Sequence, residues 1–402
     1  MTPQTRLPIL GTRLRILLVI DTYPPQLGGS EIEAQRVGAG LIRRGHQVEV
    51  LCSAAPLMPP VRDWTDPEGV PVTILGRRGM EGSSKDRNFA KEVALELWRR
   101  RRRYDVVYFL MQGLQVLAGL PVARLLRKPI VMKISGSGVI PMMRSRRAGA
   151  VELDWLRQWN IPLLLLNQGM MEEAVADGFA REQLVWMPNP VDNEVFRPAS
   201  PHEREEWRRR HDLPQDARVA IYVGRLAQEK GLPGLLRGFA EAARQAPNSV
   251  LLLVGDGNLG PELESLAAQQ SLAPGQIRFT GRAPASDVPR WLSASDIYAL
   301  TSPSEGLPCA LLEAMATGLP SVVSAIPACL QLIDDGVHGL AVGWNDVDAI
   351  GRAFLRLFGD PGLCAAMGAA ARDRAVANYS TDVVLDHYER LFANVLARKP
   401  PA

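Results

Sequence analysis

The chain has 402 residues, of which 47% are hydrophobic and 22% charged, and its formal net charge is +3. This length and composition predict a globular protein with two domains. No apolar stretch approaches the roughly twenty residues that a membrane-spanning helix needs. The cysteines (Cys52, Cys309, Cys329 and Cys364) lie far apart, without the close pairs of disulfide frameworks and zinc sites. We therefore expect a cytoplasmic protein.

The charge is unevenly divided along the chain. Residues 1–190 contain 26 Lys and Arg against 18 Asp and Glu, whereas the remainder contains 20 against 25. The basic residues of the first half, among them the arginines at 99–103, could attract an anionic membrane or acceptor. The protein could then lie peripherally on the inner face of a membrane. A solvated helix surface explains the same residues equally well, and both interpretations stay open here.

Short runs of Val, Ile and Leu without polar alternation recur along the chain, and helix-like segments separate them. Such runs are typical of parallel strands that are covered on both faces, so the fold class is α/β. The predicted strands of the first half are 14–20, 48–52, 106–110, 130–134, 163–166 and 185–187. Those of the second half are 219–223, 250–254, 277–280, 297–300 and 321–323. This arrangement predicts two doubly wound units.

Pro188 and Pro190 separate the two sets of strands and bar regular structure between them. We expect domains at 1–190 and 191–380, followed by a helix and tail at 381–402 that could pack on either half. Ligands of doubly wound sheets bind beyond the carboxyl ends of the strands, so two such units facing each other would enclose a cleft lined by loops.

Gly28 and Gly29 come at the end of the loop after the first strand, where Ser30 and Glu33 match a capping box that starts a helix. Free amides at a helix start suit a phosphate, and glycine lets the backbone approach it closely. By itself, a Gly-Gly pair is more often only a turn. The loop lacks the Gly-x-Gly-x-x-Gly pattern of dinucleotide sites, which disfavours nicotinamide chemistry.

Two cations follow the first strand of the second half, where Gly224 and Arg225 precede Lys230 and the start of a new helix. In sugar transfer from a nucleotide, the departing group is a diphosphate. Cations on its oxygens stabilise the charge that grows in the transition state. Either residue alone would more often be a surface charge.

Glu305 and Glu313 follow the strand predicted at 297–300. Pro308 suits the start of a helix and Gly318 its end, so Glu305 is expected on the loop and Glu313 on the helix. Carboxylates accept hydrogen bonds from paired hydroxyls, so one could hold the transferred hexose and the other the ribose of the nucleotide. Alternatively, Glu313 only decorates an exposed helix face.

Together these motifs resemble the retaining glycosyltransferases of family 4, which have the GT-B architecture of two Rossmann-like domains. The resemblance covers nearly the whole chain. It rests on Gly28-Gly29, residues 188–192 with Phe196, Gly224-Arg225, Lys230-Gly231, residues 255–257 and 279–281, and the Glu-x7-Glu signature from Glu305 to Glu313.

The resemblance implies a role for each matching residue. Arg225 and Lys230 would contact the diphosphate, Glu305 with Gly306 and Leu307 the donor sugar, Glu313 the ribose, and Gly28, Gly29, Gly224, Gly255 and Gly257 the donor through their backbones. It further implies an acceptor-binding first domain and a nucleotide-sugar-binding second domain. The expected partners are a nucleotide-diphosphate sugar, with uridine or guanosine favoured, and a glycan, lipid-linked or small-molecule acceptor, and not a nucleic acid.

The resemblance also implies metal-independent, front-face transfer with retained anomeric configuration, without a cofactor or a covalent enzyme nucleophile. The sequence does contain one Asp-x-Asp pair, Asp346 and Asp348, which in another glycosyltransferase architecture would bind a metal. Here the pair precedes a helical segment, so we assign it to the helix start, where acids interact favourably with the helix dipole.

Two positions depart from the family pattern. Ser135 stands where many relatives have a histidine that contacts the donor sugar, and serine cannot change charge near neutral pH. Gln331 replaces a frequent glutamate after the strand predicted at 321–323. These departures keep open the alternative of a non-catalytic sugar-nucleotide-binding subunit. A sugar-nucleotide epimerase is a further alternative, because GT-B folds also host such enzymes. A GT-B phosphorylase would need a cofactor lysine, for which no distinctive site is present.

Overall fold

The computed structural model describes residues 13–25, 28–76, 79 and 82–397. The chain divides into two compact units, one formed by residues 1–190 with 381–402 and the other by residues 191–380. Each unit has a mainly parallel sheet with helices in the connections, as the sequence predicts. Residues 26 and 27 of the first loop and residues 398–402 of the predicted tail lie outside the described part.

Within the described residues, the sheet of the first unit has the order β3-β4-β2-β1-β5-β6-β7-β8, in which the β3–β4 pair is antiparallel and the other pairs are parallel. Its strands are β1 (Arg15–Ile20), β2 (Gln47–Ser53), β3 (Asp63–Thr65), β4 (Pro71–Leu75), β5 (Val106–Phe109), β6 (Ile130–Lys133), β7 (Leu163–Leu165) and β8 (Leu184–Trp186). The helices are α1 (Gly29–Arg43), α2 (Gly82–Arg99), α3 (Leu114–Leu125), α4 (Val139–Arg144), α5 (Arg147–Gln158) and α6 (Gln168–Ala176).

The second unit has a wholly parallel sheet with the order β11-β10-β9-β12-β13-β14. Its strands are β9 (Arg218–Val223), β10 (Ser249–Val254), β11 (Ile277–Gly281), β12 (Ile297–Leu300), β13 (Ser321–Ser324) and β14 (Gly339–Val342). Its helices are α7 (Pro201–Arg210), α8 (Leu232–Gln245), α9 (Gly260–Ala268), α10 (Val288–Ser293), α11 (Cys309–Ala316), α12 (Pro327–Leu330), α13 (Val347–Gly359) and α14 (Pro361–Tyr379).

The last helix, α15 (Thr381–Ala397), packs on the first unit, as one of the two predicted alternatives has it. Its contact with α1 is close because Gly40 has no side chain. A Cβ atom at this position would lie 2.5 Å from Cδ1 of Leu385. Arg44, just after α1, donates to Asp386 at 2.7 Å and to Glu389 at 2.9 Å. Packing and charge together therefore fix α15 on this unit.

A buried polar network joins α1, β6 and α15 in the core of the first unit. Glu33 and Lys133 form an ion pair in which both side chains are 1% exposed. Lys133 also donates to Asn189 at 3.0 Å, and the Tyr388 hydroxyl donates to Glu33 at 2.7 Å. The Tyr108 and Tyr388 hydroxyl oxygens are 3.1 Å apart. Burial raises the pKa of both tyrosines well above its usual value, so both stay neutral.

This network explains why the capping-box prediction at Ser30 and Glu33 is wrong. Because Glu33 points into the core toward Lys133, its carboxylate cannot turn back to the helix start. The N-cap of α1 is instead Gly28, and no side chain caps the helix there.

We expect Lys133→Met to lower the free energy of unfolding by about 3–5 kcal/mol, because the substitution leaves Glu33 buried without its cation. Urea unfolding followed by circular dichroism measures this loss. The double variant Glu33→Gln/Lys133→Met should recover most of it, since neither charge then remains. A single variant as stable as the wild type would contradict the assigned role of the pair.

Candidate functional site

In the second unit, β9 lies between β10 and β12, so the connections leave in opposite directions at this point of the sheet. Ligands of doubly wound sheets bind outside the carboxyl ends of the strands at such a switch point. The loops that follow β9, β10 and β12 carry the site residues predicted for this unit, except for Glu313, which lies on α11. They therefore meet where the topology favours a ligand.

The loops after β9 and β10 are joined through their backbones, and glycine makes this possible. Gly224 N–H donates to Val254 at 3.0 Å, and Leu226 N–H donates to the carbonyl of Asp256 at 2.8 Å. A Cβ atom at Gly255, where φ is +143°, would lie 1.9 Å from the Gly224 carbonyl oxygen. A Cβ atom at Gly257 would lie 2.3 Å from the Leu226 carbonyl oxygen. Three predicted donor-binding glycines thus have a packing role of their own.

An ion pair connects the loops after β9 and β12. The Lys230 Nζ atom lies 2.7 Å from Oε1 of Glu305, and the two side chains are 21% and 12% exposed. A second contact supports the pair, since the Thr301 hydroxyl donates to the Gly231 carbonyl at 3.1 Å. Gly231 has φ +65°, and a Cβ atom there would meet the Thr301 carbonyl oxygen at 2.1 Å. The structure therefore brings together two of the three residues predicted to be catalytic.

Arg225, the third of these residues, has a different partner. Its guanidinium lies 2.7 Å from Glu229, and both side chains are mostly exposed. The Arg225 backbone is fixed by a hydrogen bond from the sheet, because the buried Tyr222 hydroxyl donates to the Arg225 carbonyl at 2.9 Å. Tyr222 was missed from the sequence, since a tyrosine within a strand pattern is indistinguishable from a core residue.

The carboxylates of the Glu-x7-Glu signature lie where the sequence places them, Glu305 on the loop and Glu313 on α11. Glu313 is only 7% exposed, which excludes the alternative that it decorates a solvated helix face. Gly306 is half-buried and Leu307 is buried. Gly318 adopts φ +83° just beyond the helix, as predicted for its C-terminal end.

In the first unit, Ser135 follows β6 and contacts Gln112, which follows the neighbouring strand β5. The Ser135 Oγ atom lies 3.1 Å from both Nε2 and Oε1 of Gln112. The position where many relatives have an imidazole is thus occupied by a hydroxyl and an amide. Gln112 was not predicted as a site residue from the sequence. The one feature of the sequence that could have indicated it is its position shortly after a predicted strand.

The start of α1 is contacted by the carboxylate of Glu31, a residue in the first turn of the same helix. Glu31 accepts a hydrogen bond from the Thr22 hydroxyl. A Cβ atom at Gly28 would lie 2.2 Å from Oε2 of Glu31, so only glycine leaves room for this carboxylate. An anion that approached Gly28 and Gly29 would have to displace Glu31.

The carboxyl group of Glu152 is buried next to Gly113, the residue that follows Gln112. It accepts a hydrogen bond from the Gly113 N–H at 3.2 Å, while its Oε1 atom has no partner among the described residues. Burial raises the pKa of Glu152 from 4.5 to about 8, against the opposing effect of the Gly113 hydrogen bond. Glu152 is therefore mainly protonated at neutral pH.

Within the described part of the chain, no group of three or more His, Cys, Asp or Glu side chains could hold a metal ion. The Asp-x-Asp pair acts at a helix start, since Asp346 is the N-cap of α13 and accepts from the Ala349 N–H at 2.9 Å. Its assignment to capping is confirmed. The described residues also include no helix long and apolar enough to cross a membrane.

Gly255→Ala should destabilise the second unit by more than about 2 kcal/mol, because the new methyl group forces the two interlocked loops apart. Gly281→Ala is the matched control. It also has positive φ, +69°, but its Cβ atom would meet nothing within 4 Å. The control should lose only about 1–2 kcal/mol for the left-handed backbone. Thermal unfolding compares the two variants, and equal losses would contradict the close approach of the loops.

Glu152 makes the stability of the first unit depend on pH. Because the folded protein keeps a proton on Glu152 that the unfolded chain releases, the free energy of unfolding should fall as the pH rises from 4.5 to about 8. Glu152→Gln should remove this decline, whereas the exposed Glu172→Gln should keep it. Urea unfolding across this pH range is the measurement. A decline of unchanged slope in Glu152→Gln would show that another group is responsible.

Two family models match the chain. Residues 28–190 match the glycosyl transferase 4-like domain, and residues 203–374 match the glycosyl transferases group 1 model. The similar solved structures include Anabaena HepE in complex with UDP and glucose, with 18% identity, a TM-score of 0.80 and coverage of 95% of this chain and 100% of that one. They also include sucrose-phosphate synthase from Thermosynechococcus elongatus, with 19% identity, a TM-score of 0.79 and coverage of 96% and 100%. These structures confirm the GT-B fold.

Two curated relatives illustrate the range of similarity. The GDP-mannose-dependent alpha-(1-6)-phosphatidylinositol monomannoside mannosyltransferase of Mycolicibacterium smegmatis is 33% identical over 200 residues, which are 48% of this chain and 52% of that protein. The chain thus spans about half the length of this relative. The 2-deoxystreptamine glucosyltransferase of Streptomyces kanamyceticus is 27% identical over 90% of this chain and 98% of its own length. Because both family models match, the chain belongs to the group 1 glycosyltransferases that have a glycosyl transferase 4-like domain in their amino-terminal half.

Proposed function

We propose that this protein transfers a hexosyl group from a nucleotide-diphosphate sugar to a hydroxyl group of an acceptor, with retention of the anomeric configuration. The observation that carries the proposal is the Lys230–Glu305 pair at the switch point of the second sheet. A cation and a carboxylate in contact suit a donor that has an anionic diphosphate next to a sugar rich in hydroxyl groups.

Each side chain then has a distinct task. Lys230, assisted by Arg225, binds the diphosphate oxygens and stabilises the charge that they gain as the bond to the sugar breaks. Glu305 accepts hydrogen bonds from hydroxyl groups of the transferred sugar, and Glu313 accepts them from the ribose. The acceptor oxygen bonds to the anomeric carbon on the face from which the diphosphate departs, and the acceptor proton passes to that diphosphate. No metal or covalent enzyme intermediate takes part.

The first unit has predicted donor-binding residues of its own. The backbone amides of Gly28 and Gly29 suit an anion once Glu31 moves aside. Ser135 and Gln112 offer a hydroxyl and an amide to the donor sugar in place of the frequent histidine. Both are neutral at every physiological pH, so they orient the sugar by hydrogen bonds alone.

The relatives support a UDP- or GDP-sugar as donor and a glycan, lipid-linked or small-molecule acceptor. They include a GDP-mannose-dependent phosphatidylinositol monomannoside mannosyltransferase and a galactosyltransferase from Escherichia coli that uses UDP-Gal and a diphosphoundecaprenol-linked acceptor. They also include a 2-deoxystreptamine glucosyltransferase. We favour a lipid-linked acceptor, and hence a place on the inner face of an anionic membrane, because the first half of the chain is basic.

The alternatives differ in their products. An epimerase would convert the donor into another sugar nucleotide, and a non-catalytic subunit would bind the donor without consuming it. Family membership and the retained Arg225, Lys230, Glu305 and Glu313 favour transfer. Chromatography of the products formed from a radiolabelled donor distinguishes the three outcomes.

Lys230→Ala should lower turnover by about 100-fold or more, the range observed when one group that stabilises a transition-state oxyanion is removed. The variant should also be less stable, by up to about 3 kcal/mol, because it leaves the Glu305 carboxylate without its cation. The Glu305 side chain is only 12% exposed, so turnover is compared at a temperature where both proteins are folded. The control is Arg244→Ala, which removes an exposed cation of α8. Steady-state kinetics and thermal unfolding measure the two effects. A folded Lys230→Ala variant with near-normal turnover would refute the assigned role.

A further inference from the structure

Helix α2 of the first unit has one face that does not contact the sheet. Arg87, Lys91, Leu95 and Trp98 recur at intervals of four, four and three residues, so they lie along one side of the helix. Leu95 is 43% exposed and Trp98 is 47% exposed. The opposite side is buried and consists of Phe89, Ala90, Val93, Glu96 and Leu97. The helix therefore has an apolar inner side and a second, outward side with two large apolar residues.

Cations flank these two apolar residues at both ends. Arg87 and Lys91 are exposed on the amino-terminal side, and neither forms an ion pair with a carboxylate among the described residues. Exposed arginines at 101–103 follow on the carboxyl-terminal side. The Arg101 guanidinium lies 5.4 Å from the centre of the Trp98 ring, in a cation–π contact. We call Arg87, Lys91, Leu95, Trp98 and Arg101 the basic-aromatic face.

The acidic residues of the helix point elsewhere. Glu96 is buried and accepts hydrogen bonds from Arg62, Arg99 and Arg100. Glu92 accepts one from the Gly76 N–H at 3.1 Å. Asp86 is exposed but, being one residue from Arg87, is turned by about 100° from the face. The charged side chains that lie on the basic-aromatic face are therefore all cations.

We propose that the basic-aromatic face docks on an anionic lipid bilayer. Cations near such a surface are attracted to its headgroups, while Trp and Leu side chains enter the boundary between headgroups and acyl chains. Leu95 is the residue that favours a bilayer over a nucleic acid, because a phosphate backbone offers an exposed leucine no partner. This docking face rests on the proposed function, in which the acceptor is linked to a membrane lipid. The basic-aromatic face would be the surface of the protein that contacts that membrane.

Vesicle co-sedimentation of the full chain tests the proposal. The wild type should bind phosphatidylcholine vesicles that contain phosphatidylglycerol, and should not bind pure phosphatidylcholine. Each neutralised cation is expected to lower the partition coefficient about fivefold, so Arg87→Gln/Lys91→Gln should lower it by more than tenfold. Leu95→Gln/Trp98→Gln should lower binding to a similar extent. Added salt should weaken binding, as expected for an electrostatic contribution.

Matched controls lie on the second unit. Trp344→Gln removes a tryptophan of similar exposure, 45%, and Arg237→Gln/Arg352→Gln removes two exposed cations. Both controls should bind like the wild type. Circular dichroism and thermal unfolding establish that each variant is folded, which is expected because the changed side chains are exposed.

Three results would overturn the proposal. They are a wild type that ignores phosphatidylglycerol, a wild type that binds both kinds of vesicle equally, and α2 variants that bind like the controls. Consumption of a nucleotide sugar with a water-soluble acceptor, measured without vesicles, tests the proposed function separately. It should be unchanged in Leu95→Gln/Trp98→Gln. Loss of vesicle binding with retained consumption supports the docking face, whereas retained binding with no consumption in the wild type would refute only the transferase.

Discussion

The contact between Lys230 and Glu305 is the interaction on which the site depends, because it joins loops that belong to two neighbouring strands of the second sheet. Charge alone would not hold the loops at this distance. Gly231 lets the backbone approach Thr301, while Tyr222 supports Arg225 from below. The cation and the carboxylate therefore do not need a ligand to be brought together. A diphosphate sugar would meet a site whose charges are already in position, which is what preorganised electrostatic stabilisation requires.

The first unit also contains α15, a helix from the carboxyl-terminal part of the chain. The ion pair of Glu33 and Lys133 is almost completely removed from solvent, and the Tyr388 hydroxyl supplies a further hydrogen bond from α15. Burying two charges is costly unless their remaining hydrogen-bonding capacity is satisfied. The network therefore specifies where α15 packs, whereas the apolar contact at Gly40 and Leu385 provides the close fit.

Much of the fold could be predicted from the sequence because buried parallel strands are continuous apolar runs, and every predicted strand is present within one or two residues. The strands β3, β4 and β14 were missed. The β3 strand is short and polar, β4 begins with a proline and contains a threonine, and β14 begins with a glycine. The capping box at Ser30 failed for a related reason. A local pattern fits the helix start, but the tertiary partner Lys133 determines where Glu33 points.

The site was predictable in part, because Lys230 and Glu305 follow strands, Glu313 lies on the next helix, and all three belong to an ordered series of motifs. Gln112, Glu152 and Tyr222 were not predictable, because their roles come from contacts between residues distant in sequence or from burial. We propose that the donor is a nucleotide-diphosphate sugar that the protein uses without a metal. This is tested by incubating the wild type with a panel of UDP-, GDP- and ADP-sugars in the presence of a chelator and detecting the products. We expect one donor to be consumed at a rate that the chelator leaves unchanged. Consumption of no donor would refute the proposed donor class, and consumption that the chelator abolishes would refute metal-independent transfer.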